Sequence, residues 1–299
     1  MTSISITAVA SQENYGRPAL IEDRSNRFFI HPLSGLIEKA AIYFGVTANQ
    51  VSFLGLASGL LAAVFYYQQP DRTFVFAGFV AMVAWHVFDG ADGRIARATG
   101  TSSAFGRVID GICDHLVFAA VYISLTLSLI DSGRPQSIWF LVVAAGVSHA
   151  VQAAAYEERR QRFQRRSKGV ERHAANENLL ELDGKKSLLA ETYDWIQKFV
   201  SGDPAPLDRT LEKLRNIGAP ANIVQSAVNR TALTVRRWSI LNANNRTIMI
   251  ALAAALGYPV VYFAYEVLVL NAVLVALLIY ERGVETTIVK DLTQTLEQG

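Results

Sequence analysis

The chain has 299 residues, of which 51% are hydrophobic, with a formal net charge of +2 and a single cysteine. One cysteine, Cys113, excludes an intrachain disulfide and a cysteine-rich metal site, and it is most simply a small packing residue. The small net charge does not suggest nucleic-acid binding, because the basic residues follow the distribution of apolar segments. The N-terminal residues lack a basic start followed by an apolar core, so no secretory signal peptide is predicted.

The first 49 residues are predicted to form a cytoplasmic arm that leads into a helix lying on the membrane surface. The stretch HPLSGLIEKAAIYFGV (31–46) places apolar and charged residues on different sides of a helix. The apolar side holds Leu33, Ile37, Ala41 and Phe44, and the other holds Glu38 and Lys39. An amphipathic helix of this kind can lie in the membrane interface. A helix that binds a partner protein is the alternative.

Long apolar runs follow, each near the ~20 residues that a helix needs to cross the hydrocarbon layer. Hydropathy predicts about six spans, near residues 50–68, 73–90, 106–130, 137–156, 239–257 and 259–281. We place the last boundary at Gly-Tyr-Pro (257–259) rather than at Glu266, because Gly and Pro interrupt helices. Glu266 is then expected inside the last span. Since a spanning segment must satisfy its backbone internally, the predicted fold is an all-α, polytopic membrane protein.

The basic residues predict the orientation of these spans. Seventeen of the 28 Lys and Arg residues lie between Arg159 and Arg246, and the loops of the opposite side hold only Arg72 and Arg134. The positive-inside rule then puts both termini and the segment 89–114 in the cytoplasm. We expect an integral protein of a bacterial inner membrane.

Residues 157–238 interrupt the apolar pattern and are predicted to form a helical cytoplasmic insertion. Three helices are expected, over 187–200, 207–218 and 221–238, with Gly218 as the cap of the second. The other predicted divisions are 1–49, 50–156 with the first four spans, and 239–299 with the last two spans and the tail.

A pair of glycines in the first span, Gly55 and Gly59, forms a G-x-x-x-G that permits close helix packing. A homodimer is predicted for this chain.

Four aspartates gather between the second and third spans, in DGADGRIARATGTSSAFGRVIDGICD (89–114). Asp89 and Asp92 are three residues apart, and Asp110 and Asp114 are four apart, so each pair lies on one helix face. An ionised group inside the membrane costs roughly 2.5–3.5 kcal/mol, and converging carboxylates repel each other. A divalent cation would remove the repulsion, and oxygen ligands suit Mg²⁺ or Mn²⁺.

Glycines and an arginine accompany the aspartates. Gly90, Gly93 and Gly106 would let backbones and a ligand approach closely. The guanidinium of Arg97 is a fork that suits phosphate oxygens. Carboxylates, a divalent metal and an arginine in one place indicate chemistry on a pyrophosphate.

The pattern D89-x-x-D92-G93-x-x-A96-R97, eight residues, then G106-x-x-x-D110-x-x-x-D114 resembles the signature of the CDP-alcohol phosphotransferase family at every signature position. The resemblance extends over the six predicted spans but not over residues 157–238. The segment GVTANQVS (45–52) is similar to the family's T-P-N-x-V-T and departs from it at Ala48 and Ser52.

The resemblance implies a site with two ions of Mg²⁺ or Mn²⁺. Asp89, Asp92 and Asp110 would hold metal, while Asp114 would complete the second metal site and act as general base toward the acceptor hydroxyl. The residues expected to contact or fit the CDP-linked donor are Asn49, Gln50, Gly93, Ala96, Arg97, Ser103 and Gly106. The acceptor oxygen would attack the β-phosphorus, and CMP would leave.

The donor is expected to be CDP-diacylglycerol and the acceptor a polar alcohol such as glycerol 3-phosphate, serine or an inositol phosphate. Candidate acceptor-binding residues are His149, Gln152, Arg159, Arg160 and Arg246. Each also has a structural interpretation, since juxtamembrane arginines set topology and a histidine within a span is commonly a buried hydrogen-bonding residue. His86 and His115 flank the aspartates and could support the metal ligands. The sequence does not identify the acceptor.

Two other functions remain possible from the residues alone. A Mg²⁺-dependent membrane prenyltransferase also uses a pyrophosphate donor, but a second aspartate-rich motif would be expected in the later spans, where Glu266 stands alone. An ion transporter would place acids at mid-membrane on several helices, whereas here they cluster at one face.

Overall fold

The computed structural model describes residues 20–102, 104–169 and 205–298, apart from the side chains of residues 103–112 and 295–298. Within these residues the chain is helical and has no β-strand, which confirms the predicted all-α class. The helix predicted over 187–200 lies outside the described residues.

Eleven α-helices are described, and short π- or 3₁₀-helical turns precede or join some of them. They are α1 (His31–Phe44), α2 (Ala48–Tyr67), α3 (Arg72–Ala98), α4 (Ala104–Asp131), α5 (Ile138–Lys168), α6 (Pro206–Asn216), α7 (Ala221–Arg230), α8 (Ala232–Arg237), α9 (Ala243–Ala255), α10 (Pro259–Ala264) and α11 (Asn271–Gln298). A 3₁₀ turn, Trp238–Leu241, follows α8, and π-turns occupy Asn26–Ile30 before α1 and Tyr265–Leu270 between α10 and α11.

Five described helical segments are long and apolar enough to cross a membrane: Ala48–Tyr67, Arg72–Ala98, Cys113–Asp131, Ile138–Lys168 and Pro259–Gln294. The chain is therefore an integral membrane protein with several spans. The predicted span 239–257 is a shorter helix, α9, with 13 residues. At 1.5 Å per residue it is about 20 Å long, which is less than the hydrocarbon thickness of about 30 Å.

The described chain divides into two compact units. The first, called the membrane unit, comprises residues 24–153 and 241–272. The second, called the polar unit, comprises the described residues among 1–23, 154–240 and 273–299. Helices α5 and α11 each contribute to both units.

Close packing at the G-x-x-x-G occurs inside the membrane unit. A Cβ at Gly59 would lie 2.5 Å from a methyl carbon of Val117 on α4, and one at Gly55 would lie 3.2 Å from Cβ of Phe88 on α3. Both glycines are thus needed where α2 meets its neighbours in the same chain. The homodimer stays a prediction.

The polar unit has its own apolar core. Leu207, Leu211 and Leu214 of α6 are buried there with Phe163 of α5 and Ile288 of α11. Gly218 has a φ of 72°, and the next residue's backbone N–H donates to the Leu214 carbonyl at 2.9 Å. A left-handed glycine after the last helical turn is a usual helix end, so the predicted cap is confirmed.

Candidate active site

Two of the four predicted metal-binding aspartates lie on the last turns of α3. Asp92 is buried with 7% of its surface exposed, and Asp89 is half-buried. Gly93 and Ala96 follow them and are half-buried, while Arg97 is exposed. The three-residue spacing therefore places one buried and one accessible carboxylate at the end of a single helix.

The other two aspartates belong to α4. Asp114 is half-buried. The side chain of Asp110, like those of Ser103 and Gly106, lies outside the described part of the chain. Among the side chains that the structure describes, no three His, Cys, Asp or Glu residues form a metal-binding group. The predicted four-aspartate site includes Asp110, so it stays a prediction.

Asp92 is held by the helix that precedes it. The Ser52 hydroxyl of α2 donates to a carboxylate oxygen of Asp92. Thr47 caps the start of α2 and accepts from the Gln50 backbone N–H, while the Gln50 side chain accepts from the Thr47 N–H at 2.9 Å. This capping box fixes the first turn of α2, which carries Ser52 and the exposed Asn49. Position 52, where the chain departs from the family's pattern, therefore keeps a hydroxyl that contacts an aspartate of the signature.

The helix α1 packs across the aspartate-bearing end of α3. The Ser34 hydroxyl donates to the Val87 carbonyl at 2.8 Å, and Arg94 Nε donates to the Glu38 carboxylate at 2.5 Å. A Cβ at Gly90 would lie only 2.6 Å from the Ser34 hydroxyl oxygen. The glycine between the first two aspartates is thus required by the contact with α1.

The two sides of α1 differ in what they contact. Ala41 is buried and Ile37 half-buried beside Ala91 and Ile95 of α3. The residues Leu36, Tyr43 and Phe44 are exposed. The predicted apolar side therefore contacts the motif helix through Ile37 and Ala41 but not through Phe44. The predicted position of α1 on the membrane surface is untested and stays a prediction.

The two arginines that follow Asp92 on α3 have different surroundings. Arg94 is engaged by Glu38, whereas Arg97 reaches the surface one turn beyond Gly93. A Cβ at Gly93 would come to 3.3 Å from a terminal nitrogen of Arg97. Arg97 is therefore the more exposed of these two guanidinium groups.

Three of the predicted acceptor residues lie in a buried polar network of the membrane unit. Arg246, 1% exposed, donates through Nε to Glu266 at 3.2 Å and through Nη2 to the Gln152 side chain at 2.6 Å. Its Nη1 donates to the Leu241 carbonyl. Gln152 in turn donates to the Asn271 side chain at 2.9 Å. The structure therefore shows the guanidinium of Arg246 fully engaged within the protein.

The network continues through two tyrosines to His149. The Tyr262 hydroxyl donates to Glu266 at 2.8 Å and lies 2.7 Å from the Tyr122 hydroxyl. The Tyr122 hydroxyl lies 3.1 Å from His149 Nδ1. Glu266 itself lies in the π-turn between α10 and α11, an irregularity that often accompanies functional sites. Sequence reasoning singled out Arg246, Gln152 and His149 as acceptor ligands and Glu266 as an isolated acid, but it did not predict that they form one network.

The other two predicted acceptor residues belong to the polar unit. Arg159 is buried, bonds to Glu281 at 3.1 Å, and stacks on Trp238 at 4.4 Å from the ring centroid. Arg160 bonds to Glu157 at 2.6 Å. Both arginines thus have carboxylate partners inside their own unit.

The two histidines beside the aspartates are placed differently. His86 is buried, and its Nε2 lies 2.9 Å from the Thr247 hydroxyl. His115 is exposed, and its ring centroid lies 6.3 Å from that of His149. Neither contact is with an aspartate, so a supporting role toward metal ligands stays a prediction.

Residues 45–172 match the family model for CDP-alcohol phosphatidyltransferase, which confirms the resemblance predicted from the aspartate motif. The matched segment includes α2 to α5 and is similar to the domain described as CDP-alcohol phosphatidyltransferase. Residues 173–299 lie beyond the match.

Part of the chain is also similar to two curated proteins. An archaetidylinositol phosphate synthase from Pyrococcus horikoshii is 34% identical over 91 residues, covering 30% of this chain and 46% of that protein. A phosphatidylinositol phosphate synthase from Mycobacteroides abscessus is 32% identical over 95 residues, covering 32% of this chain and 40% of that protein. The chain therefore spans less than half the length of these relatives. No solved structure shows a significant match.

Proposed function

We propose that this protein transfers a phosphatidyl group from CDP-diacylglycerol to the hydroxyl of a polar alcohol, with release of CMP. The observation that carries the proposal is the complete aspartate signature at the end of α3 and the start of α4, inside the segment that matches the family model. The relatives are named as synthases of inositol phosphate lipids. We therefore propose a phosphorylated inositol as the acceptor.

The proposed site uses only oxygen ligands. Asp89, Asp92, Asp110 and Asp114 would hold two ions of Mg²⁺ or Mn²⁺, a choice that fits a donor set made of carboxylates. The hydrogen bond from Ser52 orients Asp92 for such a role. When bound, the metal supplies charge neutralisation on the pyrophosphate.

The protein groups would act in a single displacement. Asp114 takes the proton from the acceptor hydroxyl, and that oxygen forms a bond to the β-phosphorus of the donor. The bond between the β-phosphorus and the bridging oxygen breaks, and CMP leaves with that oxygen. Arg97, exposed beside the aspartates, binds donor phosphate oxygens through its guanidinium fork. The other proposed donor-site residues are Asn49, Gln50, Gly93, Ala96, Ser103 and Gly106.

The acceptor site is proposed in the membrane unit, with His149, Gln152 and Arg246. Contact of Arg246 with an acceptor phosphate requires that the phosphate replace Glu266 or Gln152 as its partner. The ion pairs of Arg159 and Arg160 support a structural role more directly than acceptor contact. Arg246→Ala should raise the acceptor KM more than the donor KM, and equal effects on both would contradict this assignment.

We also propose the orientation of the chain and its assembly. The distribution of basic residues supports a cytoplasmic site with cytoplasmic termini. A bacterial inner membrane and a homodimer belong to the same proposal.

The activity is tested with purified protein, Mn²⁺, CDP-diacylglycerol and separate acceptors: inositol phosphate, inositol, glycerol 3-phosphate and serine. CMP should be released only when Mn²⁺ and one particular acceptor of the four are present. Asp114→Asn should abolish this release. Asp131→Asn is the matched control, because Asp131 is an exposed residue at the other end of α4. Absence of CMP with every acceptor, or equal activity in both variants, would refute the proposal.

A further inference from the structure

The helical run 232–240, which leads from α8 into the following 3₁₀ turn, has two different faces. One face is buried in the polar unit and holds Ala232, Val235 and Trp238. The opposite face is exposed and holds Leu233, Arg236, Arg237 and Ile240, which we call the 233–240 face. Leu233 is 55% exposed and Ile240 is 44% exposed. Residues at this spacing lie on one side of a helix, so two large apolar groups and two cations share one open surface.

The contact between Arg237 and Tyr280 shows which part of α11 lies beside the 233–240 face. The guanidinium carbon of Arg237 lies 4.4 Å from the centroid of the Tyr280 ring. Tyr280 is the last residue of the apolar run of α11, and Glu281 and Arg282 follow it. Tyrosine is enriched where hydrocarbon meets the lipid headgroups. The contact therefore puts the 233–240 face beside the end of the apolar run of α11, where lipid headgroups are expected.

The charges of the face favour phosphate. Within the described residues, neither Arg236 nor Arg237 forms an ion pair with a carboxylate, whereas Arg230, on the helix before them, bonds to Asp291 at 2.7 Å. A guanidinium fork binds phosphate oxygens in two parallel hydrogen bonds. Basic residues close to an anionic membrane surface are attracted to it.

The chain continues from this face directly into an apolar helix. Ile240 is followed by Leu241 and by Asn242, whose side chain caps α9. A segment that combines exposed apolar groups with arginines and adjoins an apolar helix has the composition of an interfacial element.

We propose that the 233–240 face rests on the bilayer surface and binds anionic phospholipid headgroups. Leu233 and Ile240 enter the boundary between headgroups and acyl chains, and Arg236 and Arg237 bind lipid phosphates. The proposal concerns a part of the chain outside the segment matched by the family model, and it does not depend on the proposed transferase activity.

Spin labels test where the face lies. In a Cys113→Ala background, Leu233→Cys and Ile240→Cys would carry nitroxides, with Asn222→Cys, exposed on α7, as the matched control. The protein would be reconstituted in vesicles of phosphatidylcholine with phosphatidylglycerol. Labels at 233 and 240 should collide several-fold more with oxygen, relative to a water-soluble nickel chelate, than the label at 222.

Two outcomes would overturn the proposal. Labels at 233 and 240 that are as open to nickel as the label at 222 would place the face in water. Protection of both labels from nickel and from oxygen would place it under a protein partner.

A second arm tests the headgroup charge. In the anionic vesicles, replacing both arginines through Arg236→Gln and Arg237→Gln should raise the nickel accessibility of the label at 240 several-fold. Arg230→Gln should leave that accessibility unchanged, because Arg230 has a carboxylate partner. The same measurement is made in vesicles without phosphatidylglycerol. If the label at 240 is equally protected from nickel with and without this lipid, both in the double arginine variant and in Arg230→Gln, binding of anionic headgroups is refuted.

Discussion

Arg246 and Glu266 form an ion pair in which the side chains are 1% and 0% exposed, with Nε 3.2 Å from one carboxylate oxygen and 3.3 Å from the other. The pair joins α9 to the π-turn that precedes α11. Gln152 and Tyr262 complete the hydrogen bonds around it. A charge pair so deeply buried is held by its full set of partners, and the loss of one partner leaves a charge without compensation.

Removal of Glu266 should therefore destabilise the protein strongly. Glu266→Gln leaves the Arg246 cation buried without its counter-ion, and the expected loss is about 3–5 kcal/mol. Thermal unfolding in detergent measures it, and Arg246→Met combined with Glu266→Gln should cost less than the sum of the single changes. Asp291→Asn is the control, because it removes the exposed ion pair of Asp291 with Arg230, and this loss should cost about 0–1 kcal/mol. Similar losses for Glu266→Gln and Asp291→Asn would contradict the prediction.

A methyl group at Gly59 should loosen the junction of α2 with α4. The Cβ of Gly59→Ala would lie 2.5 Å from Val117, and overpacking of this kind costs about 1–3 kcal/mol. A Cβ at Gly146 on α5 would instead meet no atom of the described residues within 4 Å. Gly146→Ala should therefore stabilise its helix by about 0.5–1 kcal/mol. The melting temperature should fall in Gly59→Ala and rise in Gly146→Ala. A lower melting temperature in Gly146→Ala would show that free space around a glycine does not decide the effect of the substitution.

The contact between α1 and α3 can be broken and partly restored. Gly90→Ala brings a methyl group to 2.6 Å from the Ser34 hydroxyl oxygen, so stability and activity should both fall. Adding Ser34→Ala removes that oxygen and leaves the Ser34 Cβ at 3.4 Å, a distance that a methyl group tolerates. The double variant should melt at a higher temperature than Gly90→Ala alone. Additive losses in the double variant would mean that Ser34 is not the obstacle.

The hydroxyl at position 52 should influence metal dependence. Ser52→Ala removes the hydrogen bond to Asp92, and loss of a contact that orients a metal ligand typically weakens metal affinity about 10–100-fold. The Mn²⁺ concentration that supports half-maximal CMP release should rise accordingly. Ser52→Thr keeps the hydroxyl and is the matched control. Equal Mn²⁺ dependence in Ser52→Ala and Ser52→Thr would show that the hydroxyl at position 52 does not influence metal binding.

The polar unit should lose stability in acid partly through Asp208. Burial raises the pKa of this carboxyl, but the adjacent Arg166 guanidinium, 2.6 Å away, outweighs burial and holds the pKa below its usual value. A carboxyl with a lowered folded pKa stabilises the folded state above its unfolded pKa of about 3.9, and this stabilisation is lost as pH falls through the folded pKa.

Asp208→Asn should consequently melt at a lower temperature than the wild type at neutral pH, and the difference should vanish in strong acid. Glu212→Gln, an exposed change on the same helix, is the comparison. A difference between Asp208→Asn and wild type that stays constant from neutral to acid pH would contradict the assignment.

The aspartate motif could be recognised in the sequence, but the contacts around it could not be predicted. The spacing of Asp89 and Asp92, and the long apolar runs, were readable because helix periodicity and span length are local properties. The partnership of Arg246 with Glu266 depends on how two helices meet, so the residues alone suggested an acceptor ligand and an unexplained acid. The short α9 was likewise hidden, since hydropathy does not report where the 3₁₀ turn Trp238–Leu241 ends and a helix begins.

The α9 helix and the last span are connected by Gly257, whose φ of 76° lets the chain turn within a few residues. A charged residue entering the bilayer alone costs roughly 2.5–3.5 kcal/mol. Arg246 on one arm and Glu266 on the other would each incur that cost if the two arms left the translocation machinery separately. Entry of the two arms together would avoid that cost, because the two opposite charges neutralise each other in the buried pair.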